Sequence, residues 1–260
     1  MHREPAVKAP LVSVIIPARD ESGNLPSLLD EIARALAALD HEVLVVDDGS
    51  RDGSWALLGA RTARDPRLRP LRHAESAGQS TSVWQAGHAA RGEWLATLDG
   101  DGQNDPADLP RLLARARQGD VALVAGHRTT RHDDWLKRIS SRIANGVRAR
   151  LLQDATPDTG CGLKVIRREA FLRLPYFDHM HRFLPALVQA QGGRCVSLPV
   201  SHRPRGAGRS HYGVHNRLWA GLIDMAGVMW LRHRSKLPAA LEVTHRETLD
   251  EPVEQARSET

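Results

Sequence analysis

The stretch Trp94-Leu95-Ala96-Thr97-Leu98-Asp99-Gly100-Asp101-Gly102 joins a short apolar run to a turn that carries two carboxylates. An apolar run of this length, bounded by turn residues, is typical of a buried strand. Asp99 and Asp101 follow it two positions apart, between glycines that let a phosphate approach the backbone closely. Carboxylate oxygens are ligands that Mg²⁺ and Mn²⁺ prefer. The stretch therefore predicts a strand that ends in a divalent-cation site, although Asp and Gly are also ordinary turn residues.

Segments of alternating type surround this strand. Further strands are predicted at 11–16, 42–46, 68–71 and 121–125. Apolar residues at helical spacing predict helices over 25–39, 54–64 and 81–91, and another that opens near Pro106. Strands that alternate with helices predict an α/β fold with a mostly parallel central sheet and helices on both faces.

Three of the predicted strands end in unusual polar residues. These ends are 17–21 (Pro-Ala-Arg-Asp-Glu), 47–50 (Asp-Asp-Gly-Ser) and 99–101 (Asp-Gly-Asp). In an open α/β sheet, ligands bind beyond the carboxyl ends of the strands. The chain has neither Gly-x-Gly-x-x-Gly nor Gly-x-x-x-x-Gly-Lys, which leaves dinucleotide oxidoreductases and P-loop enzymes without support. Acidic groups at this edge instead favour the binding of a sugar nucleotide together with a metal ion.

Size and cysteine usage limit the class of protein. The chain has 260 residues, enough for one large α/β domain. Cys161 and Cys195 form neither a disulfide framework nor a metal-binding spacing, so we expect reduced thiols in the cytoplasm. The longest apolar run, 218–231, contains Asp224 and is too short to span a bilayer. We expect a flexible segment at 1–10, a catalytic domain at 11–236 and a disordered acidic tail at 237–260.

The charge pattern predicts contact with phosphates, whether on nucleic acid, lipid headgroups or nucleotides. The formal net charge is +5, and a basic surface attracts anionic partners. The segment 135–152 has apolar residues at helical spacing with basic residues opposite, and 214–234 carries Trp219 and Trp230 near basic flanks. Both patterns are typical of helices that lie on an anionic membrane surface. Ordinary packing of these helices on the sheet is the alternative.

Several motifs, in this order, resemble one enzyme family. Ile15-Ile16-Pro17 with Asp20-Glu21, then 46–50, then 98–101 resemble the nucleotide-binding motifs of family 2 glycosyltransferases, which have the GT-A fold. The longer motif 99–106 resembles the polyprenyl-phosphate glycosyltransferases, the subgroup that includes dolichyl-phosphate mannose synthase. Further matches lie at 126–128, 141–145, 158–163, 181–185 and 205–210. The resemblance extends to about Lys236.

The resemblance implies a reaction and a set of site residues. The reaction is metal-dependent, inverting transfer of a sugar from GDP-mannose or a UDP-sugar to a dolichyl or undecaprenyl phosphate. The implied nucleotide-sugar site comprises Pro17, Arg19, Glu21, Asp48, Asp99, Gly100, Gln103, Arg128, Arg205 and His211. The implied ligands of Mg²⁺ or Mn²⁺ are Asp99, Asp101 and Gln103, and the implied acceptor-phosphate residues are Lys137, Arg138, Ser141 and Ser210. The implied catalytic residues are Asp101, Arg128 and Arg205.

Two positions depart from the family pattern. Relatives often carry Arg where this chain has Lys137, and lysine lacks the two-pronged geometry of a guanidinium. Relatives often carry Lys where this chain has His211, so that contact is predicted to depend on pH. The resemblance also predicts a peripheral location on the inner face of the cytoplasmic membrane, and a small membrane-anchoring subunit as a possible partner.

The predicted acceptor explains why no general base stands out in the sequence. A lipid monophosphate has a second pKa near 6, so it is largely an ionised nucleophile at neutral pH. The enzyme then has to align the reactants and stabilise the leaving nucleoside diphosphate.

Other functions fit the sequence less well. A nucleic-acid-binding protein could use the basic helix, but it would leave the acidic strand ends unexplained, and we predict no nucleic-acid partner. A nucleotidyltransferase usually has a glycine-rich basic loop after its first strand, where this chain has Arg19-Asp20-Glu21. A family 2 enzyme with another acceptor in cell-envelope polysaccharide synthesis stays open. The polymerases of that group carry membrane spans and a Gln-x-x-Arg-Trp motif, which this chain lacks.

Overall fold

A seven-stranded sheet forms the centre of the protein. The computed structural model describes residues 9–128, 152, 156–204 and 214–234, with the side chains of the last segment described from 221 onward. The strands are β1 (Val12–Ala18), β2 (His41–Asp48), β3 (Leu68–His73), β4 (Trp94–Thr97), β5 (Leu123–Arg128), β6 (Lys164–Arg167) and β7 (Cys195–Val200). Their order across the sheet is β3-β2-β1-β4-β6-β5-β7. Only β6 runs antiparallel to its neighbours, β4 and β5.

Helices follow most of the strands. They are α1 (Leu25–Ala35), α2 (Ser54–Thr62), α3 (Gln79–Ala89), α4 (Leu109–Ala116), α5 (Arg168–Leu172), α6 (Leu184–Ala190) and α7 (Val214–Arg234). Short 3-10 turns lie at Pro106–Asp108 and Met180–Arg182. Proline occupies the first turn of α1, α4 and α6, where its missing N–H leaves no hydrogen bond unmade.

The core has two parts, one on each face of the sheet. Because successive strand residues point to opposite faces, Val14 and Ile16 of β1 pack with α1 and α4, whereas Ile15 packs with α3 and α6. All three side chains are fully buried. The predicted α/β fold with helices on both faces is confirmed.

The predicted elements agree with the structure over the first half of the chain. The predicted strands at 11–16, 42–46 and 68–71 correspond to β1, β2 and β3, and the predicted helix at 81–91 begins two residues earlier, at Gln79. The predicted strand at 121–125 is displaced toward Arg128. The helix predicted at 25–39 ends at Ala35, and Leu36 is still buried beyond it.

The structure also bears on the predictions about the cysteines and about membrane-spanning helices. Cys161 and Cys195 are free thiols, as expected. Within the described segments, every helix is too short or too polar to cross a membrane. Of the predicted helix at 135–152 the structure describes only Leu152, which is helical and fully buried. The terminal segments 1–8 and 235–260 lie outside the described residues.

Candidate active site

The three polar strand ends meet at one edge of the sheet. β2, β1 and β4 are adjacent and parallel, so their carboxyl ends lie side by side. Gly100 packs against the end of β1, and a Cβ atom there would lie 3.0 Å from the Pro17 carbonyl oxygen. This approach is tight for any larger residue, because a Cβ atom would require the Pro17 carbonyl or the turn after β4 to shift by a few tenths of an ångström. The strand ends are thus held together by backbone contact.

Asp48, at the end of β2, organises the loop that leads to α3. Its carboxylate accepts hydrogen bonds from Ser76 Oγ at 2.7 Å, from the Ala77 and Gly78 amides at 2.7 and 3.0 Å, and lies 2.7 Å from His73 Nδ1. Burial works to raise the pKa of Asp48, but these hydrogen bonds outweigh it and hold the pKa below its usual value. Asp48 is therefore ionised and fixed. Its predicted contact with a nucleotide would come in addition to four contacts within the protein.

Asp47, the neighbouring carboxylate, supports the turn itself. Asp47 Oδ1 accepts a hydrogen bond from the Ser50 amide at 3.0 Å, and Asp47 Oδ2 lies 3.2 Å from Arg72 Nε. The next residue but one, Gly49, has φ +69°, a conformation that favours glycine. Asp47 thus supports the turn after β2.

The turn after β1 is interlocked with the turn after β2. Asp20 has φ 54°, donates its amide to Ser50 Oγ at 2.9 Å and accepts from the Arg51 amide at 2.7 Å. Glu21 accepts from Asn24 Nδ2 at 2.5 Å, in the residue just before α1. Arg19 is half exposed and donates to Ser76 Oγ at 3.0 Å, so it borders the same loop as Asp48.

Asp99 lies at the centre of this edge. Its Oδ1 atom accepts a hydrogen bond from Gln79 Nε2 at 2.8 Å. Burial, and then the neighbouring Asp101 carboxylate, raise the pKa of Asp99, while Lys164 and Gln79 act in the opposite direction. Gly162 faces the other oxygen, and a Cβ there would lie 2.1 Å from Asp99 Oδ2. The carboxylate is therefore packed directly on a glycine backbone.

Asp101 completes the acidic pair. Its side chain is 8% exposed, and its Oδ1 atom accepts a hydrogen bond from the Gln103 amide at 3.1 Å. Across the described parts of the chain, His, Cys, Asp and Glu form no group of three or more that could hold a metal. Two carboxylates suit an ion such as Mg²⁺, which is bound by one or two carboxylates together with substrate phosphates. A bound cation would also relieve the repulsion between Asp99 and Asp101, so these residues fit a metal that arrives with a diphosphate.

Gln103 joins the acidic turn to the strand at the far edge of the sheet. The Arg203 amide donates to the Gln103 carbonyl at 2.9 Å, and Asn104 forms a β-bridge with His202. The Arg203 side chain lies 2.6 Å from both Glu31 and Asp105. The segment that leads out of β7 toward residue 205 is thereby anchored beside the predicted metal site. The side chain of Gln103 lies 3.5 Å from the Arg203 carbonyl oxygen, and its predicted role as a ligand remains a prediction.

Arg128, at the end of β5, forms a two-pronged ion pair with Asp158. Its Nε and Nη2 atoms lie 2.7 and 2.8 Å from the two oxygens of that carboxylate. The hydrogen bond with Asp158 raises the pKa of Arg128 despite its burial. The guanidinium that the sequence assigned to the donor diphosphate is thus already paired. It also lies over Gly160, whose Cβ would be 3.3 Å from Nη2.

Lys164 is buried and His181 is partly buried, and the sequence analysis assigned no role to either. Lys164, at the start of β6, is 3% exposed and donates to the Cys161 carbonyl oxygen. Burial lowers the pKa of Lys164, whereas Asp99 raises it. His181 Nδ1 lies 2.7 Å from Ser80 Oγ, and burial lowers the pKa of His181 well below its usual value. Asp158 and His181 stand in motifs that the sequence analysis quoted, whereas Lys164 directly follows one.

The remaining predicted site residues lie outside the described residues. They are Lys137, Arg138, Ser141, Arg205, Ser210 and His211. Their predicted roles in binding the acceptor phosphate and the donor are therefore untested.

Comparison with known proteins identifies the family. The model of the family described as Glycosyl transferase family 2 matches residues 13–174. The chain is 32% identical over 233 residues to a dodecaprenyl-phosphate galacturonate synthase of Rhizobium johnstonii, covering 86% of this chain and 68% of that protein. It is 33% identical over 211 residues to an undecaprenyl-phosphate 4-deoxy-4-formamido-L-arabinose transferase of Aeromonas hydrophila, covering 78% of this chain and 63% of that protein.

Solved structures agree on the fold. The mannosyltransferase PcManGT of Pyrobaculum calidifontis, solved with GDP-Man and Mn²⁺, has a TM-score of 0.65 at 21% identity, over 88% of this chain and 66% of that one. Glucosyl-3-phosphoglycerate synthase of Mycobacterium tuberculosis, solved with Mn²⁺, UDP and phosphoglyceric acid, has a TM-score of 0.63 at 19% identity, over 86% of this chain and 78% of that one.

The chain belongs to glycosyl transferase family 2, and the family resemblance seen in the motifs is confirmed. It spans about two-thirds of the length of the two relatives named above. Both of those relatives are named for work on a polyprenyl phosphate.

Proposed function

We propose that this protein transfers a sugar from a nucleotide-sugar to a polyprenyl phosphate, with inversion at the anomeric carbon and with Mg²⁺ or Mn²⁺ as cofactor. One observation carries the proposal. The acidic ends of three adjacent strands meet at one edge of the sheet, in a chain that is 32% identical to a dodecaprenyl-phosphate galacturonate synthase. GDP-mannose and UDP-sugars are both candidate donors.

The donor is expected to lie across the ends of β1, β2 and β4. The loop that precedes α3 is fixed to Asp48 by hydrogen bonds from Ser76 Oγ and from the Ala77 and Gly78 amides. We expect this loop to bind the nucleoside without rearranging. Asp99 and Asp101 would hold the metal, which when bound neutralises charge on the leaving diphosphate. Arg128 adds a positive charge nearby, fixed in direction by Asp158.

The acceptor supplies its own nucleophile. Its phosphate is largely ionised at neutral pH, so alignment rather than proton removal limits the reaction. Lys137, Arg138, Ser141 and Ser210 are the residues we assign to the acceptor phosphate, and Arg205 is assigned to the donor. His211, which we assign to the nucleotide-sugar, would make its contact depend on pH.

Helix α7 is proposed as the surface that meets the membrane. Val228 is fully buried against the core and Met225 packs beside it, whereas Ile223 and Trp230 are 70% and 61% exposed. The helix ends in Arg232-His233-Arg234, which suits an anionic headgroup layer. An apolar exposed face with basic residues at one end is typical of a helix in the membrane interface. We place this surface on the inner face of the cytoplasmic membrane, with a small anchoring subunit as a possible partner.

The reaction is tested with the purified chain, Mn²⁺ and undecaprenyl phosphate in detergent micelles. A panel of GDP- and UDP-sugars is supplied separately, and lipid-linked sugar is detected by mass spectrometry. A metal-free arm with chelator checks the cofactor. We expect product with at least one donor and none after chelation.

Two results would contradict the proposal. One is transfer to a small phosphorylated acceptor such as 3-phosphoglycerate, with none to the lipid phosphate. The other is full activity in the presence of chelator. That result would contradict the proposed metal cofactor but not the proposed lipid acceptor.

A further inference from the structure

The first turn of α3 contacts two carboxylates of the site. One is Asp48, which is predicted to bind the nucleotide, and the other is Asp99, which is predicted to bind the metal. The turn begins at Gly78, whose amide donates to Asp48 Oδ2 at 3.0 Å. The next residue, Gln79, donates to Asp99 Oδ1 at 2.8 Å. Ser80, one further on, lies 2.7 Å from His181. Three consecutive residues thus connect β2, β4 and the 3-10 turn at Met180–Arg182.

We propose that Gln79 is a positioning residue that orients the Asp99 carboxylate for the metal, and that His181 holds Gln79 in place through Ser80. This inference rests on the proposed function, because it assumes that Asp99 binds the ion. It adds residues that act on the metal site without touching the metal or the substrate.

Each oxygen of the Asp99 carboxylate has a different neighbour. Asp99 Oδ2 is packed against Gly162, and Asp99 Oδ1 accepts a hydrogen bond from the side-chain amide of Gln79. Behind the carboxylate lies a small cavity of about 20 Å³, lined in part by Thr97, Leu184 and His181. A cavity of this size has room for about one water molecule, so packing around Asp99 is incomplete on that side. The Gln79 hydrogen bond holds Asp99 in one orientation, as partners of metal-binding carboxylates commonly do.

Ser80 and His181 fix the helix turn that carries Gln79. Ser80 is fully buried, so a hydrogen bond from its hydroxyl to the imidazole is not weakened by water. The His181 amide also approaches Ser80 Oγ, at 3.5 Å. Because burial keeps His181 neutral, one ring nitrogen remains available as an acceptor for this hydroxyl. Loss of this contact would free the first turn of α3 while leaving the rest of the helix packed.

The test compares Gln79→Leu and Ser80→Ala with two matched controls. Gln118→Leu makes the same change at an exposed residue after α4. Ser82→Ala removes a hydroxyl on α3 that is equally buried and that donates to the Gly78 carbonyl oxygen, just before the helix. Each protein is titrated with Mn²⁺, alone and with GDP or UDP, and the free ion is followed by electron paramagnetic resonance. Melting temperatures are measured without metal.

We expect Gln79→Leu to weaken Mn²⁺ binding about tenfold, the lower end of the usual effect of removing such a partner. Ser80→Ala should weaken it by a smaller factor in the same direction, and both controls should match the unmodified protein. The metal-free melting temperature of Ser80→Ala should stay close to that of Ser82→Ala, which separates positioning from loss of stability.

The results separate this inference from the proposed function. If the unmodified protein binds no Mn²⁺, the proposed metal site fails and the inference falls with it. If the unmodified protein binds Mn²⁺ and Gln79→Leu binds it equally well, the positioning role alone is overturned. If Gln79→Leu does not fold, Ser80→Ala decides the question. Mn²⁺ binding by Ser80→Ala equal to that of the unmodified protein would then overturn the positioning role.

Discussion

At the scale of single residues, the acidic turn has one carboxylate that packs tightly and one that is easier to change. Asp99 lies against Gly162 and Gln79. Asp101 accepts one hydrogen bond from the Gln103 amide of its own turn and makes a further interaction. Asparagine at 101 keeps the oxygen that accepts the Gln103 amide but removes the charge. The structure therefore allows the charge of Asp101 to be tested with little change in packing.

We expect Asp101→Asn to lower kcat by roughly 10²–10³-fold, the usual cost of removing a group that stabilises charge in the transition state. The loss should come with weaker Mn²⁺ binding and a nearly unchanged melting temperature without metal. The measurement is the rate of lipid-linked sugar formation at saturating donor.

The matched control is Asp30→Asn, which alters a half-exposed carboxylate on α1 that pairs with Arg61. It should leave the rate unchanged. An Asp101→Asn enzyme that keeps most of its activity would show that the charge of this residue does not support the reaction.

The sequence predicted those site residues that stand directly after a strand. Asp48, Asp99 and Asp101 were found because the strand pattern and the turn residues are both local signals. Gln79, Lys164 and His181 were missed because each reaches the site through packing between distant segments, and His181 and Ser80 are 101 positions apart. The pairing of Arg128 with Asp158, 30 positions away, was invisible for the same reason.

At the scale of secondary-structure elements, Asp52 connects the start of α2 to the turn after β1. It accepts hydrogen bonds from the Ser54 amide at 2.9 Å and the Ser22 amide at 3.0 Å. Burial works to raise the pKa of Asp52, but the hydrogen bonds with Ser54 and Ser22 outweigh it and hold the pKa at about 2. The ionised form of Asp52 is therefore favoured by folding.

We expect Asp52→Ala to lower the free energy of unfolding by about 1 kcal/mol at neutral pH, since the carboxylate is exposed and its bonds compete with water. A carboxylate whose pKa is lowered on folding stabilises the protein above its unfolded pKa of 3.8. That stability is lost as the pH falls through about 2. Urea unfolding at several pH values should show the two proteins converging in acid, and a constant difference down to pH 2 would contradict this account.

Substituting alanine for two helical glycines is expected to change the stability of the protein in opposite directions. Gly87 on α3 faces Phe171 of α5, and a Cβ there would lie 2.2 Å from the ring, whereas Gly59 on α2 has nothing within 4 Å. Gly87→Ala should destabilise the protein by about 1–3 kcal/mol through overpacking. Gly59→Ala should stabilise it by about 0.5–1 kcal/mol, because alanine favours the helix. Thermal unfolding of both variants is the measurement, and equal shifts of the same sign would contradict the packing.

The elements that the sequence missed are short or lie at an edge. β6 has four residues and runs against its neighbours, so it lacks the length that makes a strand pattern readable. β7 contains Pro199 and is an edge strand, where proline is tolerated but weakens the sequence signal. α5 and α6 are five and seven residues long, below the length at which helical spacing can be recognised.

At the scale of the whole molecule, the site edge and α7 are connected through one short segment. His181 contacts Ser80 beside the site, and His179, two residues earlier, lies 2.8 Å from Asp224 of α7. The proposed membrane helix and the proposed metal site are therefore attached to the same turn. This arrangement would keep a lipid phosphate at a fixed distance from the donor once α7 lies on the membrane.

The exposed apolar face of α7 predicts binding to anionic vesicles. Burying an isoleucine side chain contributes about 1.5–3 kcal/mol, and a charge there is costly in an apolar layer, so Ile223→Asp should weaken vesicle binding at least about tenfold.

The full chain is sedimented with vesicles of phosphatidylcholine alone or mixed with phosphatidylglycerol. Tyr176→Asp, at an exposed large residue that does not belong to α7, serves as the control for added charge. Because Arg232 and Arg234 should add an electrostatic part, the unmodified chain and the control should prefer anionic vesicles and lose that preference in high salt. Equal recovery of Ile223→Asp and the unmodified chain would exclude α7 as the docking surface.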